Sequence, residues 1–131
     1  MKTLYEFGLT DSDIKDMIEI CPTIINLSDD EINRNIEILK QIDCQEEHII
    51  NILTSNPFYL DRNSDDIINL INTLKHYNIS NINLLFDTNP FLLNKNDYEI
   101  DNYIEQEKKL GKSIDDIIDL LESNPYIIDE S

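Results

Sequence analysis

The chain has 131 residues, 40% of them hydrophobic, and carries 27 acidic against 10 basic side chains, for a formal net charge of −17 at pH 7. That length allows one domain with a packed core. A surplus of acid repels phosphate backbones and anionic membrane surfaces, because affinity for them rests on Lys and Arg displacing counterions, so a basic protein surface is the expected partner rather than nucleic acid or membrane. The apolar runs are short and broken by Asp, Asn and Glu, and none approaches the roughly 20 residues of a membrane span. Met1 to Phe7 lacks both the apolar core of a secretory signal and the Arg-rich character of a transit peptide, which points to the cytoplasm. Cys21 and Cys44 have no ligand-like neighbours and are expected to be reduced, partly buried thiols.

All four prolines, Pro22, Pro57, Pro90 and Pro125, stand 35, 33 and 35 residues apart. An isoleucine precedes each by eight positions: Ile14, Ile49, Ile82 and Ile117. Two and three positions after the prolines come Ile24-Ile25, Tyr59-Leu60, Leu92-Leu93 and Ile127-Ile128. Self-similarity at this period marks a helical repeat, in which each unit buries its apolar face by stacking on its neighbours. The expected fold is therefore all-α: a single repeat domain over 1–131, an α-solenoid of either hand with about three and a half units of 33–35 residues, at 8–42, 43–77, 78–110 and 111–131.

In chain order, Gly8 and Gly111 stand fourteen positions before Pro22 and Pro125; the first unit begins at Gly8, and Gly111, directly after Leu110, has the place of a glycine closing the preceding helix. Thr10-x-x-Asp13 and Ser113-x-x-Asp116 have the form of capping boxes. Ile14, Met17 and Ile18, then Ile49, Ile52 and Leu53, recur at helical spacing and define a first helix in each unit. That helix must stop at the proline, because the residue before a proline is pushed out of the α region. Asn56, Asn89 and Asn124 occupy that place and suit an N-cap, with proline at the first position of a new turn. The turn carries Phe58-Tyr59-Leu60, Phe91-Leu92-Leu93 or Tyr126-Ile127-Ile128, expected to plug the core between units.

Ser28, Asn63 and Asn96 lie six positions past the first three prolines, each with an acid three residues on: Glu31, Asp66 and Glu99. A second, longer helix follows, with a stripe of Ile32, Ile36, Leu39 and Ile42 in one unit and Ile67, Ile71, Leu74 and Tyr77 in the next. The third unit keeps Ile100, Ile104 and Leu110 but has Glu107 where the others have leucine, which suits an end-cap. In the half unit, Ile114, Ile117, Ile118 and Leu121 are expected to cover the third, with a monomer or a dimer through that end.

Leu53-x-x-Asn56-Pro57-x-x-Leu60, Leu121-x-x-Asn124-Pro125-x-x-Ile128 and the start Gly111-Lys112-Ser113-x-x-x-Ile117 resemble the repeat of the mitochondrial transcription termination factor (mTERF) family, over Gly8 to Ile128. The resemblance implies a fold of stacked helical units. It also implies nucleic-acid binding on a curved basic surface, in proteins that usually have more units and a transit peptide.

Two readings of the charged residues stand side by side. Asp29, Asp30 and Glu31, Asp65 and Asp66, and Asp97 and Glu99 fall in first turns, where they complement helix dipoles at ~0.3–1 kcal/mol each. The same residues, aligned along one edge of a solenoid, would form an acidic docking ridge, with Tyr98 and Tyr103 as aromatic contacts. Lys40, Lys75 and Lys108, each eighteen positions after a proline, either complement helix C-termini or, with Arg62 and Lys95, form a phosphate track. His48 and His76 stand alone, Asp11-Ser12-Asp13 and Asp97 to Asp101 lack the glycine and closing glutamate of a calcium loop, and two glycines build no phosphate loop. No metal, cofactor or enzymatic activity is expected. The leading expectation is a non-enzymatic acidic module that binds a basic protein surface. Its finer form is a DNA-mimic or anti-CRISPR-like inhibitor covering the nucleic-acid channel of a nuclease or polymerase. The alternative is mTERF-like nucleic-acid binding and transcription regulation.

Overall fold

The computed structural model describes Met1 to Glu130, the side chain of Glu130 excepted, and among these residues every regular element is helical. The helices are α1 (Lys2–Phe7), α2 (Asp11–Ile20), α3 (Asp29–Gln41), α4 (Glu46–Ser55), α5 (Ser64–His76), α6 (Ile82–Thr88), α7 (Asp97–Lys109), α8 (Ile114–Ser123) and α9 (Ile127–Glu130). Three five-residue 3-10 turns, Pro22–Asn26, Pro57–Asp61 and Pro90–Asn94, each open on a proline. Among the described residues no helix is long and apolar enough to cross a membrane. Packing groups the chain into two compact units, Met1–Ser64 and the remainder from Asp65.

The proline junctions have one geometry. The residue before each proline, Cys21, Asn56, Asn89 or Asn124, has φ between −130° and −141° and ψ between 73° and 86°, so the helix ends there. Its amide still donates to the carbonyl four residues back, as Asn56 N–H does to Ile52 O at 2.8 Å. Proline then starts the next turn, where its missing N–H costs nothing. Asn89 and Asn124 cap that turn by accepting from the amides of Phe91 at 3.2 Å and Tyr126 at 3.3 Å. Asn56 has the same backbone and is buried, without that capping bond. The fourth proline turn passes into α9 rather than a 3-10 helix.

The core plug differs from the expected one. Phe58, Phe91 and Tyr126, directly after their prolines, face solvent, and the buried pair is the one that follows: Tyr59-Leu60 and Leu92-Leu93. In a 3-10 turn three residues complete one revolution, so the proline and the residue three later share the inner side while the residue after proline is carried outward. The first turn buries Ile24 and exposes Ile25.

Left-handed backbone falls at Gly8 (φ 114°), Asp43 (φ 67°), Asn78 (φ 62°) and Gly111 (φ 94°). Glycine has no Cβ to clash there, and Asp and Asn tolerate the region through local hydrogen bonds. Gly8 closes α1, a helix not anticipated from the sequence, which packs on α3.

In the first unit Leu4, Ile14, Met17, Ile24, Ile32, Ile36, Leu39, Ile49, Ile52 and Leu53 are buried around Tyr59 and Leu60. Thr23 Oγ1 donates to Asp61 Oδ2 at 2.7 Å and joins the two successive 3-10 turns. Asn35, 2% exposed, sits on the apolar face of α3 between Ile32 and Ile36. Its Nδ2 donates to the carbonyls of Tyr59 at 3.1 Å, Leu60 at 3.3 Å and Arg62 at 3.0 Å. Its Oδ1 accepts from Ser64 Oγ at 2.7 Å, and its own carbonyl accepts from Tyr59 OH at 2.6 Å. One side chain thus satisfies the carbonyls of the turn end that no helix continues.

In the second unit Ile67, Leu70, Ile71 and Leu74 of α5 are buried, as are Ile82, Leu85 and Phe86 of α6 and Ile100, Tyr103 and Ile104 of α7. Tyr77 OH donates to Asp101 Oδ1 at 2.6 Å, and burial together with that carboxylate pushes the phenol up to about 12. Asn89 Nδ2 donates to Pro125 O at 3.1 Å.

One expectation for α7 is overturned. Leu110 does not extend the stripe: α7 ends at Lys109, and the leucine is 75% exposed. Glu107, in the place of the other units' leucine, is buried and paired with Lys112, whose ammonium is held above its usual range by that hydrogen bond. In α8, Ile117, Ile118 and Leu121 are buried but Ile114 is 39% exposed.

Asn35→Ala removes the donor shared by the carbonyls of Tyr59, Leu60 and Arg62 and the acceptor of Ser64 Oγ, and should cost about 2 kcal/mol in chemical denaturation. Leu110→Ser, by contrast, should fall within about 0.5 kcal/mol of the parent.

Candidate functional site

Every charged residue singled out from the sequence lies at a helix end, and the structure sorts these residues by what they touch. Asp29 is the first residue of α3, but its Oδ1 accepts from Thr3 N at 3.0 Å, from Thr3 Oγ1 at 2.9 Å and from the Met1 ammonium at 3.3 Å. It therefore ties α1 to α3. These donors, the Thr3 backbone foremost, hold its carboxyl below the usual range. Asp29 thus has a structural role that the sequence reading passed over, with Thr3 as its partner, while its side chain stays 47% exposed.

Asp30 and Glu31, in the same first turn, are exposed. Ser28 Oγ caps α3 by accepting from Glu31 N at 3.2 Å and donates to Glu31 Oε1 at 3.2 Å. Asp65 and Asp66 are exposed in the first turn of α5. At α7, Asn96 and Glu99 form a reciprocal capping box, and Glu99 also lies 3.7 Å from Lys95 Nζ, leaving Asp97 and Glu99 half-buried. Tyr98 is 59% exposed and accepts at its hydroxyl from Asn96 Nδ2 at 3.2 Å. Tyr103 is only 5% exposed. It fills the core position that Leu70 fills in α5 and is removed from the contact residues.

The cations are mostly engaged within the chain. Lys40 Nζ lies 3.4 Å from Glu37 and 5.4 Å from the Phe7 ring centroid, so it supports α1 as well as its own helix end. Lys108 lies 3.4 Å from Glu105, and Lys95 lies 2.9 Å from Asp129. Lys75 is exposed in the last turn of α5. Arg62 is half-buried after the Pro57–Asp61 turn. Exposed pairs of this kind add little stability, but each screens a positive charge from an incoming phosphate. Cys21 and Cys44 are free and buried, His48 lies beside Glu47, and His76 packs edge-on against Tyr77.

The Asp29 contacts set a pH dependence. A carboxyl whose folded pKa is depressed adds stability above its unfolded value, near 3.9, and loses it as pH falls through the folded one. Wild type should melt above Asp29→Asn at pH 7, and thermal scans should show the gap closing below about pH 4.

The mTERF family matches residues 1–86, about two thirds of the chain. No curated protein matches it. The helical units, each hinged on a proline-led turn, agree with that match, and the chain belongs to the mTERF family.

Proposed function

We propose that this chain is a non-enzymatic, protein-binding member of its family that presents carboxylates to a basic protein surface. The observation that carries the reading is the fate of the cations. Lys40, Lys95, Lys108 and Lys112 are paired with acids of the chain itself, while Asp30, Glu31, Asp65 and Asp66 stand exposed in first turns. The long-range field of a protein with net charge −17 attracts basic partners and speeds their encounter. Tyr98, exposed between Asp97 and Glu99, adds an aromatic contact of the kind that anchors interfaces. The finer form is that the basic partner is the nucleic-acid channel of a nuclease or polymerase, occupied by carboxylates where phosphates would lie.

Family membership favours a second reading, nucleic-acid binding through Lys40, Lys75, Lys108, Arg62 and Lys95. Three aligned lysines give a counterion-release salt slope of roughly −3, and all five cations roughly −4.5, short of the roughly 6–10 phosphate contacts of a tight duplex binder.

Charge reversal separates the two. Lysine at Asp30, Glu31, Asp65 and Asp66 should abolish retention of basic host proteins on the immobilised chain, and glutamate at Lys40, Lys75 and Lys108 should leave it intact. Retention should weaken as salt rises above physiological strength. An electrophoretic shift of mixed-sequence DNA or RNA by the unmodified chain at moderate salt, lost in the glutamate variant, would overturn the proposal in favour of the second reading.

A further inference from the structure

The chain has two arginines, Arg34 and Arg62, and both line one cleft of about 330 Å³ in the first unit. Arg34 comes from the outer side of α3, and Arg62 from the strap between the Pro57–Asp61 turn and α5. The cleft is held open by Asn35, which forms part of its wall and is hydrogen-bonded to the carbonyls of Tyr59, Leu60 and Arg62 and to Ser64 Oγ. The strap carrying Arg62 is therefore fixed against α3 before any ligand arrives. That preorganisation lowers the entropic cost of binding.

Two guanidiniums in one concavity favour an oxyanion, because their forked N–H groups match carboxylate and phosphate oxygens. The rest of the lining chooses between these. Glu31 and Asp61 stand in the same cleft and balance the two arginines, so the lining favours an anion that brings N–H donors beside its charge, which a peptide carboxylate does and a phosphate dianion does not. Both are already hydrogen-bonded, to Ser28 and Thr23, and keep further lone pairs for N–H donors. Leu27, half-buried, supplies an apolar side. We infer that this cleft binds the C-terminal carboxylate of a peptide, with the carboxylate on Arg34 and Arg62, backbone N–H groups toward Glu31 or Asp61, and an apolar terminal side chain against Leu27.

Glu31 belongs to both proposals, but Arg34 and Arg62 are not among the docking carboxylates, so the two can be tested apart. The ¹⁵N-labelled full chain is titrated with three probes: a hexapeptide ending in leucine with a free carboxylate, the same peptide amidated, and inorganic phosphate. The free acid should shift the amides of Asn35, Arg62 and Ser64 in a saturable way. The amidated peptide should bind at least about tenfold more weakly, as should the free acid to Arg34→Gln and to Arg62→Gln, each otherwise keeping the parent spectrum. Equal binding of acid and amide, no shift with the acid at millimolar concentration, or shifts with phosphate but not with the acid would each overturn the inference. Both glutamine variants should still retain basic proteins through Asp65 and Asp66, so failure here and failure of the proposed function are distinguishable.

Discussion

A proline has no N–H and keeps the residue before it out of the α region, and much of this structure follows from placing that constraint four times at nearly equal spacing. Each proline ends one helix and opens a tight turn, so the chain changes direction at a known point. The turn then carries two side chains into the core, as Tyr59-Leu60 and Leu92-Leu93 do. Burying side chains of this size is worth roughly 1.5–3 kcal/mol each, and these pairs link elements that are distant in sequence.

A tight turn leaves carbonyls that no helix continues, and the structure answers with asparagine. Asn35 gathers three carbonyls at the end of the Pro57–Asp61 turn, and Asn89 reaches Pro125 O while capping its own turn. A buried polar group is costly unless it is satisfied, so such residues specify one arrangement as well as stabilising it. Asn35 also shapes the cleft where both arginines meet, which makes a packing device the frame of a binding site.

Charge is organised on the same helical frame. Acids gather in first turns and lysines in last turns, as the helix dipole favours, and much of the positive charge is then taken up by neighbouring carboxylates. The surface that remains is acidic. Family membership describes the scaffold, and a fold does not by itself fix a function.

The repeat, its proline hinges, the capping residues and the helical stripes were legible in the sequence because they are local: periodicity and cap chemistry act within a few residues. Thr10 with Asp13 and Asn96 with Glu99 could be paired by spacing alone. The same local rules misjudged Phe58, Phe91 and Leu110, since which side of a turn or helix end faces inward depends on what packs against it. They also missed the partners of Asp29 and Asn35, where the only sequence signal was an asparagine inside the apolar register of α3. Sequence by itself determined the helical repeat, its proline hinges and the sign of the charge. Only tertiary structure decided which carboxylates are exposed, that Asp29 is tied to Thr3, that Glu107 is buried against Lys112, and that Arg34 and Arg62 share one cleft, because those outcomes depend on residues as far as 26 positions apart meeting or on burial that no short-range pattern encodes.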